Sequence, residues 1–374
     1  MSSSAISITA AETVCSLGGS LSECLASWRA GKTGLAEHDG MLQGRIADRS
    51  VLKGRRYGAV SNLAVRVARA AVERSGWTAE ETKTAWLFAA SSRGNADELL
   101  GHNDWRRPSA RFRASNTIHS EIAAAVSIEL GIRGPWQMLS SGCSAGLDAL
   151  GMAWTALRAG LCQRALVVAA DLPLVPELIE AFRATRLLAT DSLNDPLSPT
   201  TTGLHLGEAG VALTLELSET GLAEVTRYAA NSDAYDSLAI PEDGASLAEL
   251  LSTFPRPVII CPHATGTPNH SKSEMHALRT AFVNPLPSIL LLKPFTGHTL
   301  GANGLLDTAL IASALPNLPG NLPGLTGVSP DVVDLHVGDE ILKITSGMGG
   351  HNAAIGLKVV APPVPIEIPI PVPP

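Results

Sequence analysis

The chain has 374 residues, 45% of them hydrophobic and 17% charged, with a formal charge of −7. That balance describes a globular protein with a large core, and it excludes phosphate-backbone binding as the main task, which needs a basic face across much of a domain. Aromatic residues make up only 4%, which disfavours a stacking surface for single-stranded nucleic acid, and no apolar run is long enough to span a bilayer.

In chain order, the opening MSSSAISITAAETVCSLGG has no basic region leading into a long apolar stretch, so the sequence predicts no export signal and a cytoplasmic location. The helical period of AVRVARAAVERSG from Ala64 precedes a buried strand, AWLFAASS, around Trp86. SAGLDALGMAWTALRAG from Ser144 predicts a second long helix that ends at Gly160, followed by the strand RALVVAAD around Val167. A strand from Gly207 to Leu217 closes a first half, and RPVIICPHATG near Ile259 and SILLLKPFTGH near Leu290 supply strands to a second. Alternating strands and helices predict a layered α/β fold, divided into residues 1–217, residues 218–360 and a proline-rich tail, 361–374, which cannot form a helix or a central strand.

The five cysteines, Cys15, Cys24, Cys143, Cys162 and Cys261, are odd in number and widely spaced, which supports neither a disulfide scaffold nor a structural metal site. Cys143 stands out. In MLSSGCSAGLDALGMAW it sits between a predicted strand and a long helix, where unpaired amides and the helix dipole favour a thiolate nucleophile. The competing reading is a small buried hydrophobe. His263 and His298 each follow a predicted strand, at the edge where α/β sheets place chemistry. Lys293, in an apolar run five residues before His298, needs a partner, and Asp307 is the candidate. Gly347, Gly349 and Gly350 in TSGMGGHN make a loop able to bring backbone amides to a ligand oxygen. The remaining histidines, His38, His102, His119, His205, His270, His276, His336 and His351, are read as surface or structural residues.

These segments resemble the β-ketoacyl-acyl-carrier-protein synthases, condensing enzymes of thiolase-like fold, over nearly the whole chain up to about Val360. ITAAETVCSLGGSLSECLASWRAGKTGL resembles the family's first strand and helix, NTIHSEIAAAVSIELGIRGPWQMLSSGCSAG its nucleophile region, and LGEAGVALTLE its GEGAG segment. The resemblance implies a layered α-β-α-β-α fold of two similar halves. It implies Cys143 as acyl acceptor, and His263 and His298 as the histidines of the HGTST and KxxxxGH motifs. Thr265 and Thr267 would hold the pantetheine arm, Lys293 would be the motif lysine, and Glu274 and Asp307 would be supporting acids. The amides of Cys143 and Met348 would form the oxyanion hole, with Gly347 and Gly349 bordering the substrate.

The implied reaction is decarboxylative condensation of an acyl thioester with a malonyl-type extender in fatty acid or polyketide synthesis, with an acyl carrier protein as partner. No cofactor or metal is expected beyond the pantetheine arm carried by the substrate. A homodimer, or a heterodimer with a paralogous ketosynthase, is also implied, without nucleic acid or membrane. The chain departs from the family pattern at several points: HATGT replaces HGTST, Asp307 a glutamate, Met348 a gating phenylalanine, and His351 a threonine. SPTTTG from Ser198 replaces a more charged segment, and Asn95 to Thr117 is shortened. These departures point away from the housekeeping enzyme and toward a specialised polyketide or aryl-polyene-like pathway. A non-catalytic chain-length-factor-like subunit is the alternative, weighed down by the presence of Cys143. A thiolase would need a cysteine after Cys261, and a priming synthase a Cys-His-Asn set. Two basic runs, Arg45 to Arg56 and Arg106 to Arg113, are candidate docks for an acidic carrier, the first preferred.

Overall fold

A computed structural model describes residues 5–100, 111–190, 194–283 and 285–361. Arg106, Arg107, His102 and the tail beyond Ala361 lie outside the described residues. Five strands come from the first half of the chain: β1 (Ile6–Cys15), β2 (Trp86–Ala90), β3 (Trp136–Leu139), β4 (Arg164–Asp171) and β5 (Ala209–Leu217). Five more come from the second: β6 (Ala223–Ser232), β7 (Ile259–Cys261), β8 (Ser288–Ile289), β9 (Glu340–Gly347) and β10 (His351–Lys358). The order across the sheet is β8-β7-β9-β10-β6-β1-β5-β4-β2-β3. Numbered within its own half, each set runs first, fifth, fourth, second, third. In each set the first two pairings are antiparallel and the last two parallel. Ser7↔Glu224 and Ile8↔Ala223 pair β1 with β6 where the two sets meet in the sheet.

Among the described residues, helices that cover these strands include α1 (Ala59–Ser75), α2 (Glu121–Leu130), α3 (Ala145–Arg158), α4 (Pro176–Ala184), α5 (Ala245–Ser252), α6 (Pro268–Ala281) and α7 (Asn303–Ala314). The layering follows from the two-residue period of a strand. In β4, Ala165, Val167 and Ala169 share a core with Leu147 of α3 and Leu305 of α7, while Leu166 and Val168 share another with Leu63 of α1 and Ile122 of α2. In β9, Ile341 turns to the inner core while Leu342 and Ile344 pack with Leu251 of α5 and Leu278 of α6. The helices α3 and α7 are thus the shared middle layer, and strands buried on both faces read as unbroken apolar runs.

Some boundaries differ from the sequence reading. The first long helix begins at Ala59, five residues before the apolar repeat at Ala64, whereas α3 ends as expected, its last residue Arg158 followed by Ala159 and the left-handed Gly160 (φ +71°). The strand expected through SILLLKPF is only Ser288–Ile289: the Leu291 amide donates to the Asn321 side chain at 2.6 Å instead of to a strand, and Pro294 lies in a single helical turn, Lys293–Thr296; proline fits a helix start and cannot donate to a strand ladder.

Candidate active site

Cys143 lies in one 3-10 turn, Gly142–Ser144, between β3 and α3. Gly142 has φ +62°, a conformation that costs other residues about 1–2 kcal/mol, so glycine is what lets the chain turn sharply and present the sulfur. The Met348 amide, in the turn between β9 and β10, lies near enough to that sulfur to favour its thiolate. The thiol differs from the expectation of a helix-favoured thiolate. Burial pushes its pKa up to about 11; Lys293 and the Met348 amide pull the other way, and the Asp171 carboxylate adds to the rise. Enclosure of the sulfur outweighs the nearby positive charge and amide.

His263 follows β7, and His298 follows the turn Lys293–Thr296. Their rings cross at 84° with centroids 5.1 Å apart. The Cys143 sulfur and one nitrogen of each ring lie within 4.8 Å of one another, all three residues buried. Burial first, and the Lys293 ammonium second, hold both histidines well below their usual pKa, so both are neutral near pH 7. A cysteine with two histidines is also a zinc-ligand composition. Here an amide aimed at the sulfur and an apolar cavity beside it make the surroundings of a nucleophile.

That cavity measures about 460 Å³ and is walled by Phe182, Leu204, Leu238, Ile240, Leu300 and Met348. It is a size that takes a small-molecule chain. Thr265 and Thr267 also line it, their hydroxyls 3.0 Å apart. Gly347 borders it; Gly349 is not among its lining residues and instead shapes the turn, with φ +87°. Glu274 of α6 accepts the amides of His263 at 2.5 Å and Ala264 at 2.8 Å, locking the loop that carries His263. The segment His205–Gly207 does the same for His298: the His298 amide donates to the His205 carbonyl at 2.6 Å and the Gly207 amide donates to the His298 carbonyl at 3.0 Å.

Residues 27–220 match the model of the beta-ketoacyl synthase N-terminal domain and residues 222–318 that of the C-terminal domain. The chain belongs to the β-ketoacyl synthase family. It is 28% identical, over 63% of each chain, to the tetracenomycin polyketide synthase ketoacyl synthase alpha subunit of Streptomyces glaucescens. To the 3-oxoacyl-acyl-carrier-protein synthase 2 of Mycobacterium bovis it is 23% identical, over 80% of this chain and 81% of that protein. A solved type II polyketide ketosynthase, in complex with its acyl-carrier protein and bound to a hexaketide, superposes with a TM-score of 0.83 at 21% identity, over 95% of this chain and 99% of the other. That likeness establishes a thiolase-like ketosynthase fold.

Within this ketosynthase one expected pairing is corrected. Asp307 does not hold Lys293: its Oδ2 lies 2.5 Å from Nζ of Lys343, a residue of β9 that the sequence reading passed over. Lys343 also donates to the Pro262 carbonyl at 3.1 Å, and although burial opposes its charge, Asp307 keeps its pKa above the ordinary lysine value. Lys293 instead donates to the His263 carbonyl. Burial lowers its pKa to about 8, with Lys343 adding to the fall and Asp307 opposing it.

Two further residues were not foreseen. His270, read as structural, lines the cavity edge-on to His263 with ring centroids 5.1 Å apart, and its Nδ1 lies 3.6 Å from Glu274. Its four-residue spacing from Glu274 on α6 was the available signal, since residues so spaced share a helix face. Asp171 ends β4 and accepts the Ser91 hydroxyl and the Ser92 amide at 2.8 Å and the Arg93 amide at 3.0 Å, which ties the loop after β2 to the rear of the site.

Proposed function

We propose that this β-ketoacyl synthase condenses an acyl group with a malonyl-type extender, both delivered on an acyl carrier protein, in polyketide or fatty acid synthesis. Cys143 attacks the incoming thioester and becomes acylated, while its proton leaves on the departing pantetheine thiol. The extender thioester then loses CO₂. Neutral His263 and His298 donate hydrogen bonds to its carbonyl oxygen, where the enolate charge develops. The enolate carbon attacks the Cys143 thioester; the amides of Cys143 and Met348 hold the resulting oxyanion, and the sulfur departs as the β-ketoacyl product forms. Lys293 supplies a positive field behind both histidines, and Thr265 and Thr267 hold the pantetheine arm. No cofactor is required beyond that arm.

The observation that carries this reading is the convergence of one sulfur and two neutral imidazoles, within 4.8 Å, at a cavity walled by aliphatic side chains and a threonine pair. A dimer is part of the reading: β3 ends the sheet with Trp136 41% exposed, an edge that a second copy or a paralogue would cover. Incubation with acyl and malonyl carrier thioesters, followed by intact-mass measurement and CO₂ release, tests it. Acyl mass on wild type and none on Cys143→Ala is the expected result; acyl mass retained on the variant overturns it.

A further inference from the structure

One buried carboxylate gathers side chains from three separate elements. Asp148, in the first turn of α3, is 4% exposed. It accepts the Ser141 hydroxyl from the loop just before Cys143, and the Tyr228 hydroxyl from β6 at 2.9 Å. His351, the first residue of β10, brings its Nε2 to 2.9 Å from one carboxylate oxygen and 3.1 Å from the other. The His351 backbone touches the same loop, since Ser144 donates its hydroxyl to the His351 carbonyl at 3.2 Å. Tyr228 lies flush against α3, where a Cβ on Gly151 would meet its ring at 2.2 Å.

His351 follows the turn that carries Met348, and its strand partner is Gly347. That turn contains Gly349 and Gly350, both with positive φ, and so has little intrinsic stiffness. An oxyanion donor works only when held close to its required place. We propose that His351, anchored on Asp148, is the positioning residue that holds the Met348 amide over Cys143. The inference rests on the ketosynthase reading above.

The charge distribution supports the tether. The hydrogen bond to Asp148 raises the His351 pKa and burial opposes it, so the imidazolium persists further above the ordinary histidine value. Asp233, an ionisable group beside the turn, is engaged on the far side: its amide donates to the Gly350 carbonyl at 2.7 Å and its carboxylate accepts the Asn352 side-chain amide at 2.8 Å. Tyr228 meets His351 only through the shared carboxylate. Neutral histidine still donates one N–H, so the tether weakens with rising pH and is not abolished; substitution is the sharper test.

The experiment compares acylation of Cys143 by an acyl-pantetheine thioester, which needs the oxyanion hole, with its alkylation by iodoacetamide, which does not. His351→Ala should slow acylation about tenfold, less than the roughly 10²–10³-fold produced by deleting an oxyanion donor outright, and leave alkylation within about twofold. His351→Gln, which keeps a side-chain N–H, should recover most of the rate. Tyr228→Phe removes a bond to the same carboxylate without touching the turn, and should acylate near the wild-type rate. Wild-type acylation by His351→Ala overturns the inference, as does parallel loss of acylation and alkylation, or failure of His351→Gln to rescue. A wild-type protein that takes no acyl group at all would overturn the ketosynthase reading as well.

Discussion

Nζ of Lys343 lies 2.5 Å from Oδ2 of Asp307, with both side chains buried. The pair fastens β9 to α7 behind the loop that carries His263, and Lys343 reaches that loop through the Pro262 carbonyl. Removing one partner leaves a buried charge uncompensated, a change that destabilises by about 3–5 kcal/mol. Lys343→Ala and Asp307→Asn should each lower the denaturant unfolding free energy by that order, and the double variant Lys343→Met with Asp307→Leu should recover most of it. Single losses under about 1 kcal/mol would show that the charges are solvated.

Lys293 behaves oppositely. Its pKa is lowered to about 8 in the fold, below the ordinary value near 10.4, so between those values the unfolded chain binds the proton that the folded chain has lost. Stability therefore rises with pH across that window, by on the order of 3 kcal/mol in total. Lys293→Met should flatten that rise in unfolding measurements from pH 7.5 to 10.5, and should slow condensation because the positive field behind the histidines is gone. An unchanged slope would place Lys293 in contact with solvent.

Cys143 should alkylate faster as pH rises, with no plateau before about pH 10, because burial raises its pKa to about 11. A plateau near pH 7 would mean that the helix end dominates after all. Neither His263 nor His298 should contribute an acid limb near pH 6.5 to condensation, both being held well below that value.

What the sequence made legible was backbone punctuation: apolar runs ending in glycine, proline and polar residues located Cys143 and His263 just past strand ends, whereas His298, expected after a strand, follows the helical turn Lys293–Thr296. Lys343 was illegible for a physical reason. In EILKITSG a lysine between apolar residues reads as a solvent-facing position of an alternating strand, and only the burial of β9 on both faces turns it inward with Ile341. Asp307 was matched to Lys293 because the two are near in sequence, whereas its partner comes from a strand 36 residues later. The four-residue spacing of His270 from Glu274 marks a shared face of α6, but its edge-on approach to His263 comes from how that helix packs against the His263 loop.

Ala264 offers a stability test of the departure HATGT. Its φ is +44°, a left-handed conformation costing a non-glycine residue about 1–2 kcal/mol. Ala264→Gly relieves that strain while adding backbone freedom to the unfolded chain, an opposing effect of about 0.4–1 kcal/mol. The net expectation is a gain of roughly 0.5 kcal/mol in thermal or denaturant unfolding. A loss would mean that the methyl group packs usefully against the loop.

The carrier dock is the last point that the structure reshapes. Of the run from Arg45 to Arg56, Arg49 is paired with the buried Glu208, and Arg56 stacks on Tyr57 while reaching Glu129 at 3.5 Å. Lys53 and Arg55 remain exposed. Two cations, Lys272 and Arg279, lie nearer the chemistry. Lys272, His276 and Arg279 fall on one face of α6 and line a groove of about 340 Å³ that shares Pro268 with the Cys143 cavity. Exposed cations beside a pocket mouth steer an anionic partner and act mainly on the association rate. Lys272→Glu with Arg279→Glu should raise KM for a carrier-bound substrate roughly tenfold and weaken its salt dependence, with a pantetheine thioester turned over as before. Arg55→Glu with Arg56→Glu should have the smaller effect, since Arg56 is already committed to Glu129. A larger effect from the Arg55 and Arg56 pair would move the dock to the first cluster, and equal losses with carrier and pantetheine substrates would mean that the altered cations serve the fold.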